Sequence, residues 1–145
     1  MATVNNIVVA TDFSDIADKA LASAADLARQ LGASLHVLHI VQIHPTNMPE
    51  SGNVNIEELE ALEEKSAADS LKSTIDTLAA DVDVSTYIVH GDPATQVNQL
   101  AADKNADLIV IGTHGRSGIS RLIMGSVAES VLKQSDIPVM CVKGA

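Results

Sequence analysis

Three observations predict an α/β fold built on a parallel sheet. Short, nearly continuous apolar runs recur along the chain: Asn6–Ala10 (NIVVA), Ser34–Val41 (SLHVLHIV), Val84–Val89 (VSTYIV), Asp107–Ile111 (DLIVI) and Val139–Val142. Strands of this kind are buried on both faces, unlike the alternating strands of a half-solvated antiparallel sheet. Between the runs lie longer segments with apolar residues at helical spacing, and a strand–helix alternation places helices on both faces of a parallel sheet. At 145 residues and 46% apolar, the chain has enough material for one domain, residues 1–145, with a core that needs no disulfide or metal. No internal repeat, low-complexity tract or interdomain linker interrupts it. With no Trp, one Phe and one Tyr, that core is aliphatic.

Each element has its own punctuation. Thr11-Asp12-Phe13-Ser14 closes the first strand, and Ser14 can cap a helix to about Leu31 that turns Ala17, Ala20, Leu21, Ala24, Ala28 and Leu31 inward. Gly32 supplies the left-handed stop. After the second strand, Ile43–Asn55 is polar, holds Pro45, Pro49 and Gly52, and reads as a loop. Ile56–Ala80 is a helix pattern through Ile56, Leu59, Leu62, Ala68, Leu71, Ile75 and Leu78, with an acidic start suited to the helix dipole. His90-Gly91-Asp92-Pro93 is a turn in which Asp92 caps the next helix and Pro93 takes its first position; Val97, Leu100 and Ala101 face inward before the helix ends near Asn105. A last helix ends near Gln134 and leads through Pro138 into the final strand.

Charge excludes several functions. A net charge of −10 repels nucleic acid and anionic membranes, whose recognition relies on Lys and Arg, and base-stacking aromatics are lacking. No run approaches the roughly 20 apolar residues of a membrane span. Cys141 is the single cysteine, so no intramolecular disulfide can form, and on the last strand it reads as a small buried hydrophobe. The opening residues resemble neither a signal peptide nor an anchor. The expectation is a cytoplasmic protein. The five histidines form no metal site: His36 and His39, three apart on a strand, point to opposite faces.

The stretch that carries chemistry runs from Asp107 to Leu132. Gly112 and Gly115 follow the fourth strand, and Gly125-Ser126 open the next helix. Glycines that lead from a strand onto a helix N-terminus can build an anion site, because free backbone N–H groups and the helix dipole both favour negative charge. The spacing is not that of a P-loop, and the position after the fourth strand is not that of a dinucleotide fingerprint. Turn and packing glycines explain the pattern equally well. If the strand order is 3-2-1-4-5, Asp12 and Gly112 end neighbouring strands at the point where strand order reverses, which is where such sheets bind ligands.

Over its whole length the chain resembles the universal stress protein family. The resemblance is carried by IVVATDFSDIADKAL, LHVLHIV, HGDPATQV and IGTHGRSGISRLIMGSVAESVLKQSDIPVMCVK. The family's nucleotide-binding branch carries Gly, two residues, Gly, nine residues, then Gly and Ser or Thr; Gly112, Gly115, Gly125 and Ser126 meet that pattern. The resemblance implies an open five-stranded parallel sheet of order 3-2-1-4-5, adenine-nucleotide alpha-hydrolase-like, that binds ATP; a divalent cation, Mg²⁺, can bridge the phosphates in place of protein cations. Residue by residue, it implies that Asp12, in Ala10-Thr11-Asp12, accepts from the ribose hydroxyls and that the backbone of Ile40 contacts adenine. Gly112, His114 and Gly115, after Ile111, surround ribose and phosphate. Gly125, Ser126, Val127 and Ala128 grip the phosphates from the helix N-terminus. Arg116 and Arg121 are the cations near enough in sequence to reach a triphosphate, although a solvated loop charge is the commoner fate of such residues.

Asp12 can also be a plain turn or capping aspartate, and Ser126 an ordinary cap. The function implied is a nucleotide-dependent regulatory binding module of the stress response. Two alternatives stand beside it: a slow ATPase or nucleotidyl-transfer enzyme, with His114 orienting the nucleophile, and an interaction protein that binds AMP or a cyclic nucleotide. No catalytic residue is assigned. The resemblance also implies a homodimer paired through Ile137–Val142, a short apolar segment at the expected sheet edge.

Overall fold

The computed structural model describes residues 3–41, 55–114 and 124–144. Among them the chain forms β1 (Asn6–Ala10), α1 (Asp15–Leu31), β2 (Ser34–Val41), α2 (Ile56–Leu78), β3 (Val84–His90), α3 (Pro93–Asp103), β4 (Leu108–Gly112), α4 (Ser126–Gln134) and β5 (Val139–Val142). The strands make one parallel sheet in the order β3-β2-β1-β4-β5, as the sequence predicts.

Residue alternation along the central strands splits the core into two layers. Ile7, Val9, Leu35, Val37 and Val110 face α1 and α2, where they meet Ala20, Leu21, Ala24, Ala28 and Leu71. Val8, Leu38, Ile109 and Ile111 face α3 and α4, against Ala94, Val97, Ala101, Ala128 and Val131. Both sets are almost wholly out of water, which is why these strands read as continuous apolar runs. The alanine ridge of α1 lets that helix lie close to the sheet. Gly32 ends it at φ 67°, with its N–H donating to the Ala28 carbonyl. Among the described residues, no helix is long and apolar enough to cross a membrane.

Several element details differ from the sequence expectation. Leu31 is 49% exposed, in the last turn of α1 beyond the alanine ridge. Only the second half of α2 packs: Ala67 and Leu71 are buried, Ala68 is exposed, and Ile56 and Leu62 are 51% and 65% exposed. Helical spacing marks a face but not whether a sheet lies beneath it. Asp107 stays outside β4 because its Oδ2 accepts the N–H groups of Asn5 and Asn6, at 2.8 and 3.1 Å, and so ties the start of β1 to its neighbour. β4 then runs through Gly112, and α3 stops at Asp103, before Asn105 at φ 50°. Cys141 is half-buried, and burial raises its thiol above the ordinary value.

His36 and His39 do point to opposite faces. His36, 8% exposed, sits on the α3 side. Its Nε2 is 3.0 Å from Asn6 Oδ1 and its Nδ1 is 3.2 Å from the Tyr87 hydroxyl. The Asn6 oxygen can only accept, so Nε2 carries the proton and Tyr87 O–H donates to Nδ1. Lys104 Nζ lies 5.2 Å from the Tyr87 ring centroid. Burial first, and then the Lys104 charge, hold His36 below its ordinary value of 6.5, with Asp83 opposing. Below pH 6.5 the unfolded chain therefore takes up this proton before the folded one does, and stability falls with pH until the folded group also titrates. Urea unfolding at stepped pH should show this loss between pH 6.5 and the lower folded value, and the difference between wild type and His36→Leu should shrink across the same window. A difference that is flat with pH would refute the buried neutral histidine.

Candidate functional site

A parallel sheet delivers all its strand ends to one rim. At that rim, between the loops after β1 and β4, lies a cleft of about 920 Å³. Eleven of the residues singled out in the sequence line it together: Ala10, Thr11, Asp12, Ile40, Ile111, Gly112, His114, Gly125, Ser126, Val127 and Ala128. Gly115, Arg116 and Arg121 lie outside the described residues. Reasoning from sequence missed His39, Val41, Glu63, Asp92, Pro93 and Thr113, which also line the cleft. The turn at Asp92-Pro93 follows the carboxyl end of a strand, and that position was the available signal.

On the β1 side the chain passes from strand to helix through nested side-chain turns. Thr11 Oγ1 accepts the Phe13 N–H at 3.0 Å, and Asp12 Oδ1 accepts the Ser14 N–H at 3.0 Å. Ser14 Oγ caps α1 by accepting from Ala17 N at 3.2 Å. The turn reading of Asp12 is therefore correct as far as Oδ1 goes, and the residue still faces the cleft. Its charge is felt by Asp18, whose carboxyl is raised by burial first and then by Asp15 and Asp12.

On the β4 side both glycines are sterically required. A β-carbon at Gly112 would fall 2.6 Å from Ile16 Cγ2, and one at Gly125 would fall 2.9 Å from the Thr113 carbonyl oxygen. That oxygen accepts the Gly125 N–H at 2.6 Å, while the Thr113 N–H donates to the Val142 carbonyl at 2.9 Å. Thr113 Oγ1 is 3.1 Å from His114 Nδ1. Gly125 is the N-cap of α4, and Ser126 is its first helical residue rather than its cap.

The helix ends differ in a way that matters for anions. Ser14, Asn55 and Asp92 cap α1, α2 and α3 through side-chain oxygens, whereas α4 has no side-chain cap bond. Its first-turn N–H groups open on the cleft beside the end of β4. At the β3 side, Glu63 and Asp92 bring carboxylates to the lining, and the Thr95 backbone and hydroxyl hold Asp92 below the usual carboxylate range. The cleft is thus electrically lopsided, with the Glu63 and Asp92 carboxylates toward β3 and, at α4, a helix N-terminus that no described side chain caps.

Comparison with known proteins agrees with this architecture. Residues 3–143 match the family model described as the universal stress protein family. A universal stress protein of Methanocaldococcus jannaschii is 34% identical over 139 residues, covering 94% of this chain and 81% of its own. The universal stress protein UspA from Lactobacillus plantarum superposes with a TM-score of 0.82 at 27% identity, covering 99% of this chain and 100% of its own. Two further solved structures carry ligands. One is the Archaeoglobus fulgidus universal stress protein in complex with dAMP, with a TM-score of 0.68, 27% identity and coverage of 98% and 100%. The other is a universal stress protein in complex with cAMP, with a TM-score of 0.64, 27% identity and coverage of 98% of each chain. By sequence along nearly its whole length, and by the sheet order and rim cleft described above, this chain belongs to the universal stress protein family.

Proposed function

We propose that the chain is a nucleotide-dependent regulatory module of the stress response that binds an adenine nucleotide, ATP with Mg²⁺ in the fullest form, across the rim cleft. The observation that carries this reading is the α4 N-terminus, which has no side-chain cap and faces Asp12 across the ends of β1 and β4. A phosphate supplies the charge that this helix end favours. A carboxylate at Asp12 accepts from sugar hydroxyls, and the backbone of Ile40 reads the adenine edge. Glu63 and Asp92 repel phosphate from the opposite end, which orients the nucleotide with its base toward β3 and its phosphates toward α4. Arg116 and Arg121 are the cations assigned to the outer phosphates. The acidic, cleft-bearing domain is assigned to the cytoplasm.

The relatives solved with dAMP and cAMP favour a second reading, in which the ligand is an adenine mononucleotide and the γ-phosphate is dispensable. Calorimetric titration with ATP, AMP and cAMP, with and without Mg²⁺, separates the two. Binding to wild type should raise the unfolding midpoint, and Asp12→Ala should weaken it about tenfold to a hundredfold, the worth of hydrogen bonds to a charged group. No binding of any of the three sinks the reading. Multiple-turnover ATP hydrolysis that is lost in His114→Ala would move the protein from binding module to enzyme.

We further propose a homodimer formed through β5. This strand is half-buried and pairs with β4 alone among the described strands. The carbonyls of Pro138 and Val142 point toward β4, so the Cys141 N–H points outward. Cys141→Pro removes an outward donor while leaving the β4 ladder intact. Sedimentation should give a dimer for wild type and a folded monomer for this variant; a monomeric wild type would overturn the proposal.

A further inference from the structure

β1 ends at Ala10 and α1 begins at Asp15, so the chain reverses direction within residues 11–14. It does so at a conformational cost. Phe13 sits at φ 65°, the left-handed region that a residue with a β-carbon seldom occupies. The Thr11 and Asp12 side-chain turns define the loop, but they do not relieve Phe13. Further restraint comes from β2. The Thr11 N–H donates to the Leu38 carbonyl at 2.9 Å, and His39 Nδ1 lies 2.8 Å from the Thr11 carbonyl oxygen. A carbonyl only accepts, so Nδ1 carries the hydrogen. The His39 ring also packs on the Phe13 ring, with centroids 4.5 Å apart and planes tilted by 33°. One side chain thus grips the turn twice, at its first carbonyl and at its disfavoured residue, and Asp12 lies between the two grips.

We propose that His39 is a positioning residue: by holding the 11–14 turn it fixes the Asp12 carboxylate in the direction from which it takes the hydroxyls of a bound sugar. The part assigned to Asp12 rests on the adenine-nucleotide reading above, whereas the double grip on the turn does not. With Oδ1 engaged by Ser14 N–H, the turn restrains the direction of the carboxylate before ligand arrives. His39 itself borders the cleft, so a direct contact with ligand is the competing explanation that the test must separate.

The test compares wild type, His39→Leu and His39→Asn by calorimetry with AMP and with 2′,3′-dideoxy-AMP, which lacks the hydroxyls. Leu removes both grips, whereas Asn restores an amide N–H near the place of Nδ1. His39→Leu should weaken AMP binding about tenfold and dideoxy-AMP binding by less than about twofold, and His39→Asn, which restores the donor but not the ring contact with Phe13, should recover part of the AMP loss. Unchanged AMP affinity in His39→Leu overturns the proposal, and so does an equal loss for both ligands.

A second readout needs no ligand. Amide hydrogen exchange at Phe13 and Ser14 should quicken in His39→Leu and slow again in His39→Asn; unchanged exchange overturns the proposal whatever the wild type binds. A wild type that binds neither nucleotide overturns the adenine-nucleotide reading and the sugar-holding role with it, and faster exchange would then credit His39 with the turn alone. If His39→Leu fails to fold, His39→Gln displaces the donor by one bond while keeping a polar side chain and serves in its place.

Discussion

The structure depends on one constraint: a parallel sheet has to bury both of its faces. Parallel neighbours need crossover helices, and those helices cover the sheet above and below. The chain meets this requirement with aliphatic strands and, on α1, a ridge of alanines that admits the helix closely. A sheet wound in this way has no choice about where its loops gather. Every strand-to-helix turn falls on the same rim, and the reversal of order at β1 and β4 parts two of those turns into a cleft. The site is a by-product of topology that particular residues then exploit.

Those residues divide the labour by chemistry. On the β1 side, side chains satisfy the backbone: Thr11, Asp12 and Ser14 each accept an N–H, and Ser14 caps α1 at Ala17. On the β4 side, no described side chain caps α4. Gly125 cannot cap α4 with a side chain, and a larger residue there would collide with the Thr113 carbonyl. The same glycine therefore answers a packing requirement and leaves the helix end open.

How much was legible follows from what each signal encodes. The strands, their helices and the sheet class were readable because burial on two faces leaves an unmistakable composition, as in NIVVA and DLIVI. The residues at the cleft were readable because strand ends and glycines mark turns. Periodicity failed at α2, since Ile56 and Leu62 carry the right spacing with no sheet beneath them, and the helix packs through Ala67 and Leu71 instead. His39 was passed over because a histidine on a strand says nothing about which carbonyl lies across from it. That information resides in the register of β1 with β2, where Ala10 pairs with Leu38 and the next residues of each strand meet beyond the ladder.

The backbone of one residue, Thr113, carries more than its local role. Its N–H is held by Val142 of β5, and its carbonyl holds Gly125 at the head of α4. β5 follows α4 in the chain, so a nascent polypeptide that already contains β1 through β4 has a rim with only one wall secured. The second wall takes its place when the outermost strand docks. Assembly of the pocket is in this sense governed from the margin of the sheet: the β1 wall can form before the strand that anchors the α4 wall has been made.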